Sequence, residues 1–268
     1  MSQGGFSLVE VMIGLAIAGV VSLAMFSAFI SQNQSYIAQE QVVAMQQNLR
    51  AAFTVLERDL RMAGFVGDGG ATAGIAEAGE GRLRLTYDLG NGTPSGNPDG
   101  DVLDNGEHIT YGVYSSGGVN KLGRKVLAGG NYQPVAENIS ALGFAYAFDA
   151  DFDSENQIDR GADGRVYWGI INPLDNHWYD LDVNDDGDIS PADDLDGDGL
   201  IAGQDTGLVA SLDQIRGVRA WLLAETAIEA RDFRETNLFQ VGSRTVKPNN
   251  QKRHRLLTAT IFCRNLGL

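Results

Sequence analysis

The sequence predicts an α+β fold: one long N-terminal α-helix, its first half membrane-spanning, followed by a head built on antiparallel β-strands. Three observations carry this. Residues 6–30 are almost wholly apolar. No Pro occurs before Pro94, so nothing breaks a helix over the first sixty or so residues. Beyond Gly64 the chain turns Gly-rich, with short stretches of alternating hydrophobicity.

The first element is the apolar run from Phe6 to Ile30. A helix needs about 20 mainly apolar residues to cross a bilayer, and this run meets that length. It carries one acid, Glu10. A carboxylate inside a membrane segment is costly and therefore reads as functional. A cleaved secretory signal fits less well, because no Lys or Arg precedes the run and no A-x-A site follows it. A plain one-pass anchor is the other ordinary reading.

The same helix continues in polar form. Between Gln32 and Ala63 the chain is rich in Gln, Ala, Leu, Glu and Arg, which favour helix. Ile37, Gln41, Met45, Asn48, Ala52 and Val55 recur at helical spacing, and Val42, Leu49, Phe53, Leu56 and Leu60 form the stronger apolar stripe. The heptads are too few for a coiled coil. Gly64 is placed as the C′ stop. A helix from Phe6 to Ala63 would be roughly 85–90 Å long, its second half packing one face on the head. Glu57 and Arg61 are spaced as an i,i+4 pair.

Residues 65–268 are enough for one domain with its own core. Strands are predicted at Arg82–Tyr87, His108–Tyr114, Lys121–Leu127, Ile139–Phe148, Val166–Ile171, Val218–Ala224 and Leu256–Arg264. Residues 91–106 read as a long loop. Cys263 is the only cysteine, which excludes an intrachain disulfide, and its apolar strand setting predicts a buried small hydrophobe.

The net charge is −15, and it is concentrated. Asp175 to Asp205 contains eleven Asp and no Lys or Arg; Asp149 to Asp163 contains six acids and one Arg. A bias this local marks a site. Asp182, Asn184, Asp186, Asp188, Ser190 and Asp193 fit positions 1, 3, 5, 7, 9 and 12 of a calcium loop, with Gly187 at 6 and Ile189 at 8. Asp194, Asp196, Asp198, Leu200 and Asp205 repeat positions 1, 3, 5, 7 and 12, with Gly199 at 6 and Ile201 at 8. Positions 7 contribute backbone carbonyls. Asp151, Asp153, Glu155 and Asp159 form a weaker third candidate. Oxygen-rich flexible loops favour Ca²⁺ over Mg²⁺. The first two loops abut, which leaves room for one helical turn, started by Ser190 with Pro191. A solvated acidic loop is the plainer alternative, but acids this dense repel one another without a cation.

No catalytic constellation is present. His108, His177 and His254 make no metalloprotease motif, and no phosphate-binding glycine loop occurs. Imidazole is a poor Ca²⁺ ligand, so His177 is read as structural or solvated. The basic stretch Arg244, Lys247, Lys252, Arg253 and Arg255 lacks the aromatic interleaving of a nucleic-acid site. The expectation is a non-enzymatic protein.

Gly4-Gly5-Phe6-Ser7-Leu8-Val9-Glu10 resembles the signal of type IV prepilins and pseudopilins. The resemblance implies cleavage between Gly5 and Phe6 by a membrane peptidase, methylation of Phe6, and an assembly role for Glu10. A carboxylate in lipid would pair there with a neighbouring subunit's N-terminal amine. The leader Met1–Gly5 has no Lys or Arg, unlike most in the family.

Residues 46–53 and 57–65, the latter Glu57-Arg58-Asp59-Leu60-Arg61-Met62-Ala63-Gly64-Phe65, resemble PilW-type minor pilins. So do Val135–Phe144, Arg216–Leu223 and Arg253–Asn265. The minor pseudopilin J of type II secretion is related to these. The Asp loops resemble dockerin loops at position 12 and thrombospondin-type repeats in their close succession.

The resemblance implies the following organisation: leader 1–5, assembly helix 6–30, soluble half-helix 31–64, and head 65–268 with an acidic insertion at 149–207. It implies a single-pass protein of the bacterial inner membrane, its head in the periplasm, later carried to a surface pilus. Its partners would be the prepilin peptidase and the other minor and major pilins, and its role would be to initiate assembly near the fibre tip. The competing readings are a type II secretion pseudopilin and a membrane-anchored calcium-dependent adhesin.

Overall fold

The computed structural model describes all residues except 1–4, 6, 68–69, 71, 91–98, 127–128, 150–157, 159, 161–163, 173 and 267–268. It forms two compact units, residues 1–44 and 45–268. Helix α1 runs from Leu8 to Met62.

In the first unit α1 is long and apolar enough to cross a membrane, and none of that apolar window is buried inside the protein. Leu8, Met12, Leu15, Val20, Leu23, Phe26 and Phe29 are all exposed. A stripe buries one face of an ordinary amphipathic helix. Here the apolar residues go all round, which suits lipid or neighbouring helices on every side.

In the second unit the pattern becomes a stripe. Met45, Leu49, Ala52, Phe53, Leu56, Asp59 and Leu60 are buried, at the three- and four-residue spacings of one helix face. The helix ends as expected: Gly64 adopts φ 78°, and its N–H donates to the Thr86 carbonyl. A Cβ there would overlap the Leu266 side chain.

Asp59 is the polar member of this stripe. Tyr111 Oη and Arg124 Nε each reach its Oδ2 at 2.6 Å, which ties the helix to the sheet by charge-assisted bonds as well as by packing.

The strands are β1 (Ile75–Ala78), β2 (Arg82–Thr86), β3 (His108–Ser116), β4 (Val119–Lys125), β5 (Gln133–Glu137), β6 (Ile139–Phe148), β7 (Gly169–Ile171), β8 (His177–Asp180), β9 (Gln204–Val209), β10 (Ile215–Glu225), β11 (Phe239–Val241), β12 (Arg244–Val246) and β13 (His254–Phe262). They form a five-stranded meander β1-β2-β3-β4-β5, a six-stranded sheet β13-β10-β6-β7-β8-β9 and a ribbon β11-β12. Every pairing of the named strands is antiparallel.

Asn138, at φ 57°, separates β5 from β6 and passes the chain from one sheet to the other. The sheets are linked by Phe144 N–H to the Glu80 carbonyl and Tyr146 Oη to the Gly79 carbonyl, both at 2.8 Å.

The acidic segment is more structured than its composition suggests. It supplies β7, β8 and β9 to the six-stranded sheet. At its base, buried Asp149 meets Arg216 at 3.0 Å. Trp168, Leu181, Ile189 and Ile201 from this segment join Ala145, Ala147, Trp221 and Leu223 in one core. Cys263 is a free, buried thiol, and burial pushes it up to about 12, as an apolar setting does to a thiol.

Candidate functional site

Two places in the chain gather functional chemistry, the start of α1 and the paired Asp loops.

At the start of α1, Gly5 is exposed and Phe6 lies outside the described residues. Glu10 sits in the first turn. Its Oε2 accepts from the Ser7 N–H at 2.9 Å, and the Ser7 Oγ accepts from the Glu10 N–H at 3.3 Å. This is a reciprocal capping box, which satisfies two orphan donors at the helix start. The signal for it, Ser-x-x-Glu before an apolar run, was in the sequence. Glu10 thus has a local role as well as a charge, and helix-dipole electrostatics favour an acid there.

The first Asp loop wraps round Asp182. Its Oδ1 accepts from Asp186 N–H at 3.0 Å and its Oδ2 from Gly187 N–H at 2.8 Å. Asn184 Oδ1 accepts from Asp186 N–H and Asp186 Oδ1 from Asp188 N–H, both at 2.9 Å. Asp193 closes the loop: its Oδ1 accepts from Asn184 N–H at 3.1 Å and its Oδ2 from Ser190 N–H at 2.9 Å. Ser190 caps the 3-10 turn Pro191–Asp193, with Pro at its start, so a helical turn falls where the sequence places it. Gly187, at φ 91°, makes the sharp bend.

The second loop begins alike. Asp194 accepts from Gly197 N–H at 2.9 Å and Gly199 N–H at 2.8 Å. Asp198 Oδ1 accepts from Leu200 N–H at 2.8 Å. Carboxylate oxygens of Asp194, Asp196 and Asp198 lie within 4.8 Å of one another. Among the described residues no three acids of the first loop come that close.

Asp205 is placed elsewhere. It lies on β9 opposite Tyr179, with its carboxylate 3.1 Å from His177 Nδ1 and 2.8 Å from the Gly207 N–H. Those two contacts, the Gly207 N–H first, hold it below the usual carboxylate range. Asp151, Asp153, Glu155 and Asp159 lie outside the described residues.

Both loops are nailed down by their eighth residue. Ile189 is 4% and Ile201 2% exposed. Ile201 N–H donates to the Ser243 carbonyl at 2.7 Å, and Thr245 N–H to the Gly199 carbonyl at 2.8 Å. The second loop therefore pairs with the β11-β12 ribbon and not with its neighbouring loop.

The electrostatics are those of crowded acids. Burial raises Asp182; the Gly187 and Asp186 N–H groups pull it back, while the charges of Asp193 and Asp186 push it up again. Asp180, 6% exposed, is raised to about 6, by burial first and by the charges of Asp182 and Asp185. At Asp194 burial acts upward, but donors from Gly199 and Gly197 outweigh it and the carboxyl lies below its usual range.

The donor set is oxygen only and carboxylate-rich, which fits a hard cation such as Ca²⁺. Arg165 and Arg219 were not legible as neighbours of this region. Arg165 Nη1 donates to the Asp185 carbonyl. Arg219 lies over the Trp168 ring, 4.6 Å from its centroid, and burial lowers it despite Asp188 and Asp182 nearby.

Residues 1–26 match the model of the prokaryotic N-terminal methylation motif. No curated protein matches the chain. Among solved structures, a type IV-like pilin from Thermus thermophilus is similar over 82% of this chain and 97% of its own, at 16% identity and a TM-score of 0.38. A likeness of that size leaves the function to the chain's own residues.

Proposed function

We propose that this chain is a minor subunit of a type IV pilus, a structural and assembly protein made as an inner-membrane prepilin. The observation that carries the reading is the methylation motif over residues 1–26, which coincides with an apolar helix none of whose spanning window is buried. Cleavage falls between Gly5 and Phe6, and the new Phe6 amine is the methylated group.

Glu10 then sits one turn into a helix surrounded by lipid. Its carboxylate pairs with the N-terminal amine of an adjacent subunit, an attraction strengthened by low dielectric. The head faces the periplasm during assembly and the medium afterwards. The other pilins and the prepilin peptidase are its partners, and the segments resembling PilW-type proteins favour a place in the priming complex near the tip.

We further propose that the two Asp loops bind Ca²⁺ and that the ion stabilises the head. What supports this is the loop templates, the wrapped backbone N–H groups and the mutual repulsion of acids without a cation. Asp182, Asn184, Asp186 and Asp193, with the Asp188 carbonyl, would hold one ion; Asp194, Asp196 and Asp198, with the Leu200 carbonyl, would hold the other. The role is structural, since binding to the folded state alone stabilises it.

The assembly reading is tested by Glu10→Ala in cells that make fibres. Loss of the subunit from sheared fibres, with normal amounts in the membrane, is the expected result. Normal incorporation of the variant would refute it.

A further inference from the structure

The connection between β2 and β3 carries another group of acids, away from the paired Asp loops. Asp88 stands at its start, and Asp99, Asp101, Asp104 and Glu107 at its end. Their spacing does not follow the calcium-loop template, so the sequence shows only a loop there.

Two of these acids are buried: Asp88 is 0% and Glu107 1% exposed. Among the described residues neither forms an ion pair with Lys, Arg or His. Buried charges are normally paired or bound to a metal.

The two carboxylates are satisfied differently. Glu107 is filled by the chain itself. Its Oε1 accepts from the Leu89 and Gly90 N–H groups at 2.9 and 3.1 Å, and its Oε2 from the Asp104 N–H at 3.0 Å. Asp88 is half filled. Its Oδ2 accepts from the Gly100 N–H at 3.2 Å, whereas its Oδ1 is buried with no hydrogen-bond partner among the described residues. The bond to Gly100 sets this carboxylate against the turn that bears Asp99 and Asp101. Asp88 is fixed from behind as well, because its N–H donates to the Phe65 carbonyl at 2.8 Å, just past the end of α1.

The acids of the turn also have oxygens to spare. Asp99 Oδ1 accepts from the Asp101 N–H at 3.2 Å, and Asp101 Oδ1 from the Leu103 N–H at 2.8 Å. Among the described residues no hydrogen bond reaches their other oxygens or the Asp104 carboxylate. Burial, and then the charges of Asp99, Glu107, Asp101 and Asp88, raise Asp104 above the usual carboxylate range. All five acids share one field.

We propose that this loop is a further cation site, which takes Ca²⁺ on the open Asp88 oxygen and the carboxylates of Asp99, Asp101 and Asp104. Glu107 is a positioning residue, holding the Asp104 backbone against the end of β2. Asp88 is wholly enclosed, so its occupant must be small enough to be enclosed with it. That selects a bare cation over the Lys or Arg of a partner protein. A proton on Asp88 would leave the other four charges facing one another. Among the described residues no three of these acids lie within 4.8 Å of one another, as Asp194, Asp196 and Asp198 do. Asp99 and Asp101 are exposed, so the ion draws their side chains in while Asp88 and Glu107 stay in place. An adjustable, oxygen-only set of this kind suits Ca²⁺; Mg²⁺ demands near-ideal octahedral geometry and keeps its waters. The proposal rests neither on the pilus reading nor on metal at the paired Asp loops, which share no residue with this site.

The test is residue-resolved amide exchange on the full chain in detergent micelles, titrated with Ca²⁺. Exchange at Gly100, Asp101, Leu103 and Asp104 should slow, with half-saturation at or below about a millimolar, as in extracellular calcium modules. Asp99→Asn plus Asp101→Asn keeps the acceptors for both turn N–H groups and touches only exposed positions. It should raise the half-saturating concentration at these amides at least about ten-fold. Amides of Asp186 to Asp188 and Gly197 to Gly199 should respond as in the native chain, so the two calcium readings fail separately. Asp88→Asn should abolish the response at Gly100 to Asp104; where that variant does not fold, the exposed pair decides. No slowing at these four amides at about ten times the expected concentration would overturn the proposal. So would an unchanged midpoint in the Asp99→Asn plus Asp101→Asn variant, or an equal response to Mg²⁺.

Discussion

Glu10 carries two roles that a single substitution confounds. It accepts from the Ser7 N–H as part of a capping box, and its charge is the proposed partner of a neighbouring amine. Glu10→Gln separates them, since Gln also completes a capping box but cannot form an ion pair. The expected outcome is that Gln and Ala both abolish incorporation into fibres. Only Ala should also fray the helix start, seen as faster amide exchange at Ser7 and Glu10. Incorporation of the Gln variant at normal levels would leave the cap as the whole role of this residue.

Asp59 shows what the residue scale hid. The sequence makes it look like one charge of a solvated Glu-Arg-Asp helix face. It is 3% exposed, because Tyr111 and Arg124 come to it from β3 and β4, residues far away in the chain. Asp59→Ala would strand the Arg124 guanidinium and the Tyr111 hydroxyl. A destabilisation of about 3 kcal/mol is expected in denaturant melts. Asp59→Asn, which keeps an acceptor, should cost less.

At the scale of elements, local signals were legible and long-range pairings were not. The end of α1 at Gly64, the capped turn at Ser190 and the anchoring of both loops by Ile189 and Ile201 each follow from a few neighbouring residues. The placement of Asp205 does not. The loop spacing assigns it to position 12, but Ile201 N–H is held by the Ser243 carbonyl and the chain then enters β9. There Asp205 pairs with Tyr179 and its carboxylate meets His177.

The same pairing hid β8 and β9 inside a segment whose acidity reads as loop. For the metal, Asp194→Ala should therefore abolish binding at the second loop, whereas Asp205→Asn should leave it nearly unchanged. Calorimetry with Ca²⁺ on the full chain checks this, and equal losses in the two variants would put Asp205 back among the ligands. If Ca²⁺ stabilises the head, chelator should lower the melting temperature of the native chain, and a melting temperature indifferent to chelator would remove the structural role.

At the scale of the whole molecule, the fold class follows from composition and periodicity, whereas the division of strands between two sheets depends on one left-handed residue, Asn138. Buried Tyr and Cys groups set its response to alkali; burial also raises Tyr111 and Tyr146 well above the usual phenol range. Burial, and then the Asp59 charge, raise Tyr87 from 10.0 to about 12. Burial raises Cys263 from 9.0 to about 12. In the unfolded chain both ionise at their ordinary values. Between those values and about 12 the folded state binds more protons, so stability falls as pH rises through this window. Melting temperatures should fall from about pH 8 to about pH 11. The Cys263 thiol should resist alkylation until the protein unfolds.

The claim on which the rest depends is that the chain is processed as a prepilin. The most direct measurement is the N-terminal mass of the protein recovered from its native membrane or fibres. The account predicts a chain that begins at Phe6 with its amine methylated. A chain that keeps Met1, or one cut beyond the apolar run after Ile30, would contradict it.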